Sequence, residues 1–338
     1  MRRQHASRGL ITGLLAALLV SWGSGSVAAE ATMSATSSDR PTVIKGIDVV
    51  GISASQVAEL LRLLGLKEGM QVPYGQLKEA IVTPAQLKLE ELGRFRLVSV
   101  RPTTFIGGTE DGATYLTINV VDRESRLASK SIPGAPRALP PAIDRFFAER
   151  VRGLGAFRDT LLPSDQDRIE ALAEDHASAL ASALADAAQP AIRARAAQAI
   201  AFHPDSRWAR RQLENSLLDP DAGVRRDVAR ALLPLVERQI GREAIALEPY
   251  LGLMRFPEPA DRMNAAILLM RLSRVPAHRE TILPEAGAPL LAMAKMKHPG
   301  ERTLALEALQ VLSQAPAPKT WDAYRSWWEE TTKKRFVD

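Results

Sequence analysis

Four related words recur in the second half of the chain, and they restrict its fold more than any other feature. They run from Pro190 to Ile200, Pro220 to Leu232, Pro259 to Leu269 and Pro299 to Leu309. Aligned on Arg193, Arg225, Arg262 and Arg302, they are offset by 32, 37 and 40 residues. Each word reads as proline opening a helix, arginine on its first turn, then small or apolar residues three, four and seven positions later. Proline suits a first helical turn, and small residues let a neighbouring helix approach closely. Pro220 stands two residues further from its arginine than the other prolines do from theirs. Between the words lie other helical stretches, near Arg207–Leu218, Glu243–Met254, Leu283–Met296 and Lys319–Lys333, with an earlier one near Asp165–Ala185. Alternating helices at this period stack as an α-solenoid.

The pattern resembles HEAT-like repeats over about residues 165–315, a family in which a Pro…Arg…Ala-Ala…Leu second helix recurs. The four arginines could form a ladder for acidic partners. Alternatively, each could bond a neighbouring helix end or a carboxylate of the adjoining repeat, and recurrence in every unit favours that structural role. In the last helix Trp321, Tyr324, Trp327 and Trp328 are spaced to share a face, which reads as a cap on the final repeat, with an aromatic ligand platform as the alternative.

The N-terminal part has a different grammar. Val43–Gly51 reads as a strand, Ser53 as a cap, and Val57, Leu60, Leu61 and Leu64 as the apolar face of a helix that Gly65 stops. A second helix is expected near 74–92, kinked at Pro84. Arg94–Phe105 and Tyr115–Val121 read as strands around a turn at Gly107, Gly108 and Glu110–Gly112. This order, with Ile47–Gly51, Gly93–Val100 and Asn119–Asp122 as matching words, resembles a POTRA domain over about 42–124. The resemblance implies a module that binds other polypeptides by adding a strand to a sheet edge. There is one copy, and no alternating strands follow that could build a membrane barrel, so an insertase or transporter is not expected. Pro102 marks the second strand as the edge. Along it Arg94, Arg96, Val98 and Arg101 are the candidate partner contacts, unless the arginines are charges that guard the edge against self-association.

The expected fold class is thus an α+β N-terminal domain followed by an all-α solenoid. Residues 125–142, with Pro133, Pro136, Pro140 and Pro141, read as a semi-rigid linker, and 143–338 as the solenoid with its aromatic capping helix. Residues 1–29 read as an export signal, with Arg2, Arg3 and Arg8 before an apolar run from Leu10 to Trp22 and cleavage after Ala29. That run is too short for a bilayer span. Residues 30–41 form a flexible lead-in. A periplasmic destination is expected, with secretion as the alternative.

Charge then loses its apparent meaning. The formal net charge is +5, but three arginines sit in the signal, which leaves 41 basic against 39 acidic side chains. Residues 30–130 hold 12 of each sign, and 131–338 hold 29 basic and 27 acidic. Neither part carries the lopsided basic stripe that a phosphate backbone requires, so nucleic acid is not an expected partner. There is no cysteine, hence no disulfide framework and no thiolate site. The histidines of residues 30–338, at 176, 203, 278 and 298, show no paired metal-binding spacing. His203-Pro204-Asp205 matches the J-domain tripeptide without that family's surroundings, and Asp205 reads better as a helix cap. Asp219-Pro-Asp221-Ala-Gly223 lacks the remaining ligands of a calcium loop. No catalytic residue, cofactor or metal site is expected. The function that fits is an envelope adaptor or scaffold for other envelope proteins or extended peptides, with outer-membrane protein assembly or secretion as a candidate setting: the sheet edge engages an extended peptide and the solenoid's concave side a second protein. A lyase-type envelope enzyme of the HEAT-like group and a structural envelope spacer are the alternatives.

Overall fold

The computed structural model describes residues 40–105, 111–123, 130–150, 161–317 and 319–337. The expected export signal and nearly all of the lead-in lie outside the described residues, as do the centre of the Gly107–Gly108 turn and residues 124–129.

In the N-terminal module, β1 (Pro41–Val50), β2 (Gln71–Pro73), β3 (Phe95–Thr104) and β4 (Ala113–Asp122) form one sheet in the order β2-β1-β4-β3. β1 runs parallel to β4, while β2 and β3 are antiparallel to their neighbours. One sheet face packs under α1 (Ala54–Leu64) and α2 (Thr83–Glu91), burying Ile44, Leu60, Ile81, Leu89, Leu116, Ile118 and Val120 together. The helix expected over 74–92 is not uniform. A 3₁₀ turn at Tyr74–Gln76 and a π segment at Lys78–Val82 precede α2. Pro84 explains the irregularity, because it lacks an N–H and its ring crowds the preceding turn, which a wider π turn relieves.

The rest is helical and paired. α3 (Pro141–Arg150) packs on α4 (Pro163–Asp175), α5 (Ala177–Asp186) on α6 (Pro190–Ile200), and α7 (Ser206–Glu214) on α8 (Ala222–Gln239). α9 (Glu248–Leu253) packs on α10 (Pro259–Leu272), and α11 (Pro276–Ala294) on α12 (Pro299–Ser313). The second helices α6, α8, α10 and α12 lie side by side, which makes this a helical-repeat array. A continuous apolar core runs from Leu139 to Trp328 and includes Ala196, Ala197, Ala265 and Ala266, the small residues of the recurring words. α13 (Trp321–Thr332) closes the array against α11 and α12.

Several element boundaries differ from expectation. The helix expected over 165–185 is two, broken at His176. The stretch expected from Glu243 starts only at Glu248, and the one expected from Leu283 starts at Pro276. Pro220 does not open α8: Asp221 caps that helix by accepting from Val224 N, so the extra spacing in this word is a cap residue outside the helix.

Candidate interaction surfaces

Three of the four recurring arginines, Arg193, Arg225 and Arg262, are buried. Arg193 donates from Nε and Nη2 to the Asp219 carboxylate at 2.7 Å each, and from Nη1 to the carbonyls of Ala187 and Ala188. Arg225 repeats this one unit on, reaching Asp261 and the carbonyls of Asp219 and Pro220. Arg262 bonds Glu301 at 2.8 Å and the Pro257 carbonyl. Each therefore ties the turn before its own helix to a carboxylate of the next repeat. Arg302 is exposed, and among the described residues no further repeat follows its own.

The array is not separate from the sheet. The second face of β4 is buried as well, including Thr117 and Asn119, so polar alternation in this strand does not mark a solvent face. Asn119 Oδ1 accepts from Arg262 Nη1 at 2.9 Å. Asp48 Oδ1 and Oδ2 accept from the backbone N–H groups of Lys297 and His298 at 2.8 and 2.9 Å, at the start of α12. Burial raises the Asp48 carboxyl, against the lowering effect of those two N–H donors. Gly46 lies in the same contact, and a Cβ there would fall 2.7 Å from Lys297 Cβ and 2.9 Å from Tyr115. His298 caps α12 by accepting at Nδ1 from Glu301 N, and burial pushes its imidazole down to about 4. Lys297 also bonds Glu68.

The proline-rich stretch is tied down too. Lys130 N donates to Leu218 O, and Ala135 exchanges hydrogen bonds with Asp186 and Ala188 across a short parallel bridge to Ala187. The turns that precede α6, α8, α10 and α12 are thus contacted by parts of the chain that come before α3: Ala135, Lys130, Arg101 and Asp48.

Among the described residues β3 is an edge strand, with β4 as its one neighbouring strand. Its candidate contacts separate into different environments. Arg96 is exposed. Arg94 pairs with Asp122 at 3.2 Å. Arg101 reaches the array and pairs with Glu258 at 3.1 Å. Val98 is a correction: it packs against the module's own core. Strict alternation from Arg94 and Arg96 would turn it outward, but a bulge between Phe95 and Leu97 shifts the register by one and puts Val98 and Val100 on the core side.

At the far end Tyr324 and Trp328 are buried, and Trp328 Nε1 donates to Leu283 O at 3.0 Å. Trp321 Nε1 donates to Leu291 O at 2.9 Å, and Trp327 is half-buried against the same core. Gly287 makes room: a Cβ on it would meet Trp328 Nε1 at 2.1 Å.

A carboxylate of the adjoining repeat was expected as partner but not identified in the sequence, although Asp261-Arg262 and Glu301-Arg302 carry it inside the words themselves. Asp48 and Gly46 gave no comparable signal. Among the described residues no three His, Cys, Asp or Glu side chains gather closely enough to hold a metal ion, and no helix is long and apolar enough to cross a membrane.

No family model matches this chain, and neither does any curated protein. Among solved structures, a chain from "Structural Basis of Microtubule Plus End Tracking by XMAP215, CLIP-170 and EB1" aligns at 15% identity and a TM-score of 0.32, covering 59% of this chain and 94% of that one. A second, from "Structural Basis of Tubulin Recruitment and Assembly by Microtubule Polymerases with Tumor Overexpressed Gene (TOG) Domain Arrays", aligns at 14% identity and a TM-score of 0.32, covering 87% and 70%. Likeness at this level carries no functional argument.

Proposed function

We propose that this protein is an exported, non-enzymatic adaptor of the cell envelope, in which a POTRA-like module and a HEAT-like array each hold a polypeptide. The observation that carries the reading is the position of β3, whose outer backbone groups face no neighbouring strand among the described residues. An edge strand offers a row of N–H and C=O groups to an extended peptide, and Arg96 beside it adds a positive charge. The export part of the reading rests on the basic, apolar and small-residue sequence of 1–29.

The test is photo-crosslinking in the producing cell from a benzoylphenylalanine at Arg96, the exposed strand position, with Val98 as the inward control. Crosslinked envelope polypeptides from position 96 and none from position 98 are expected. Equal yields from both, or none from either, would defeat the edge-strand reading. Recovery of the uncleaved chain from the cytoplasm would defeat the export reading.

A further inference from the structure

A polar cavity of about 520 Å³ lies where the start of α7, the end of α8 and the connection to α9 meet. Ser206, Arg207, Glu237, Arg238, Arg242 and Glu243 stand in its wall. Both of these glutamates already answer arginines. Glu243 accepts from Arg207 Nε at 2.5 Å and from Nη2 of the buried Arg210 at 3.4 Å, and Glu237 pairs with Arg271 at 3.0 Å. Arg210 also donates to Glu214 at 2.7 Å. Arg207, Arg210, Arg238, Arg242 and Arg271 thus face only Glu214, Glu237 and Glu243, an excess of two positive charges. Beside Ser206, Asp205 and Arg211 offset one another.

The unused donors agree with the charge. Arg207 and Arg238 are each pinned through Nε, to Glu243 and to the Pro234 carbonyl at 3.2 Å. Among the described residues their terminal amines carry no hydrogen bond, and Arg242 has no side-chain hydrogen bond or ion pair. Behind them the buried Gln239 accepts from Arg210 Nε at 2.5 Å and donates to Ser206 Oγ at 3.0 Å. Arg210 can only donate, so the Gln239 amide is oriented, Ser206 is held as an acceptor, and its hydroxyl hydrogen is left for a ligand.

We infer that this cavity binds a small phosphomonoester, with Arg207, Arg238 and Arg242 around the phosphoryl oxygens and Ser206 donating beside them. Guanidiniums match phosphate oxygens in shape as well as charge. Three of them suit a group with three unesterified oxygens and nearly two negative charges at neutral pH. A carboxylate offers fewer oxygens and a single charge, and a phosphodiester likewise. The start of α7 favours an anion and the end of α8 opposes it, so the side chains decide the sign of the site. Small-ligand cavities measure about 300–1,000 Å³, which leaves room here for the molecule that carries the phosphoryl group. Ile240 gives that molecule an apolar wall. The site shares no residue with the edge strand and does not depend on the adaptor reading.

The test is isothermal titration calorimetry of the full chain with phenyl phosphate, dimethyl phosphate and succinate, in about 0.15 M sodium chloride. Phenyl phosphate should bind about tenfold or more tighter than either other probe. Arg238→Ala and Arg242→Ala should each weaken it about tenfold. Both side chains are exposed, so melting temperatures should stay at the wild-type value. Glu237→Gln removes a negative charge from the wall and should tighten binding, a gain that misfolding cannot imitate. Arg302→Ala, an exposed arginine elsewhere, should leave the affinity unchanged. No heat from phenyl phosphate, equal affinity for the three probes, or wild-type affinity in Arg238→Ala and Arg242→Ala would overturn the site. So would an equal loss in Arg302→Ala or no tightening in Glu237→Gln, and these arginines would then serve only as counter-charges at the end of α8.

Discussion

Arg225 closes on Asp261 with both Nε and Nη2 on Oδ2, at 2.8 and 2.6 Å, and its guanidinium lies 4.0 Å from the centre of the Phe256 ring. Both charged side chains are buried. The remaining guanidinium nitrogen holds the turn in front of α8. One side chain thus fixes a turn and sets the distance to the following repeat.

Removing one member of such a pair strands the other charge in the interior. Arg225→Ala should lose about 3–5 kcal/mol of stability. Arg302→Ala, at the ladder's open end, should change it by less than about 0.5 kcal/mol. Urea titrations of the two variants give the comparison. Equal losses would mean that the arginines act through something other than the next repeat.

The seal at the end of the array depends on Gly287. Gly287→Ala places a methyl group inside the Trp328 indole position and should cost about 1–3 kcal/mol by overpacking. Trp328→Phe removes the bond to Leu283 O and should cost about 1 kcal/mol. If the clash is the cause, Gly287→Ala should be far milder when combined with Trp328→Leu. Additive melting shifts in that double variant would count against it.

Substitutions at the junction between sheet and array should open it without unfolding either part. Gly46→Leu and Asp48→Ala attack the contact at Lys297 and His298 and leave the sheet's helix-covered core untouched. Amide exchange should accelerate at Lys297 and His298 in both variants while Ile118 and Val120 stay protected. Uniform acceleration would show that the sheet cannot hold its fold undocked.

His298 makes this junction sensitive to acid. Its folded pKa of about 4 lies below the ordinary 6.5, so the unfolded chain binds more protons between those values. Stability from this residue is therefore complete above pH 6.5 and is lost as pH falls toward 4, by up to about 3 kcal/mol. Asp48, raised by burial, and Asp261, pushed up to about 6, act in the opposite sense. The difference between wild type and His298→Asn isolates the histidine, since asparagine keeps a cap. Melting curves from pH 7 to 4.5 should show wild type losing ground to the variant (a constant difference would rule the histidine out).

The helical array was legible because its cause is local. A proline that preorganises a first turn and small residues at fixed offsets act within one helix and its neighbour, so Pro190, Pro259 and Pro299 each mark a helix start. Boundaries failed where a cap replaced the expected signal, as at Asp221, or where an N-terminal proline lay further back, as at Pro276. β1, β3 and β4 were legible from apolar alternation and turn residues, whereas the short β2 at Gln71–Pro73 and the order of the strands in the sheet were not. Val98 was misplaced because a single bulge inverts every side chain beyond it, and Phe95-Arg96-Leu97 contains no glycine to signal one.

By itself, then, the sequence determined two differently built parts and the period of the second, since propensity and hydrophobic spacing act over a few residues. What the ladder arginines grip, where the sheet docks and which helix faces stay open were decided only in three dimensions. Asp48 lies about 250 residues from the amides it holds, and their meeting depends on the packing of every element between them.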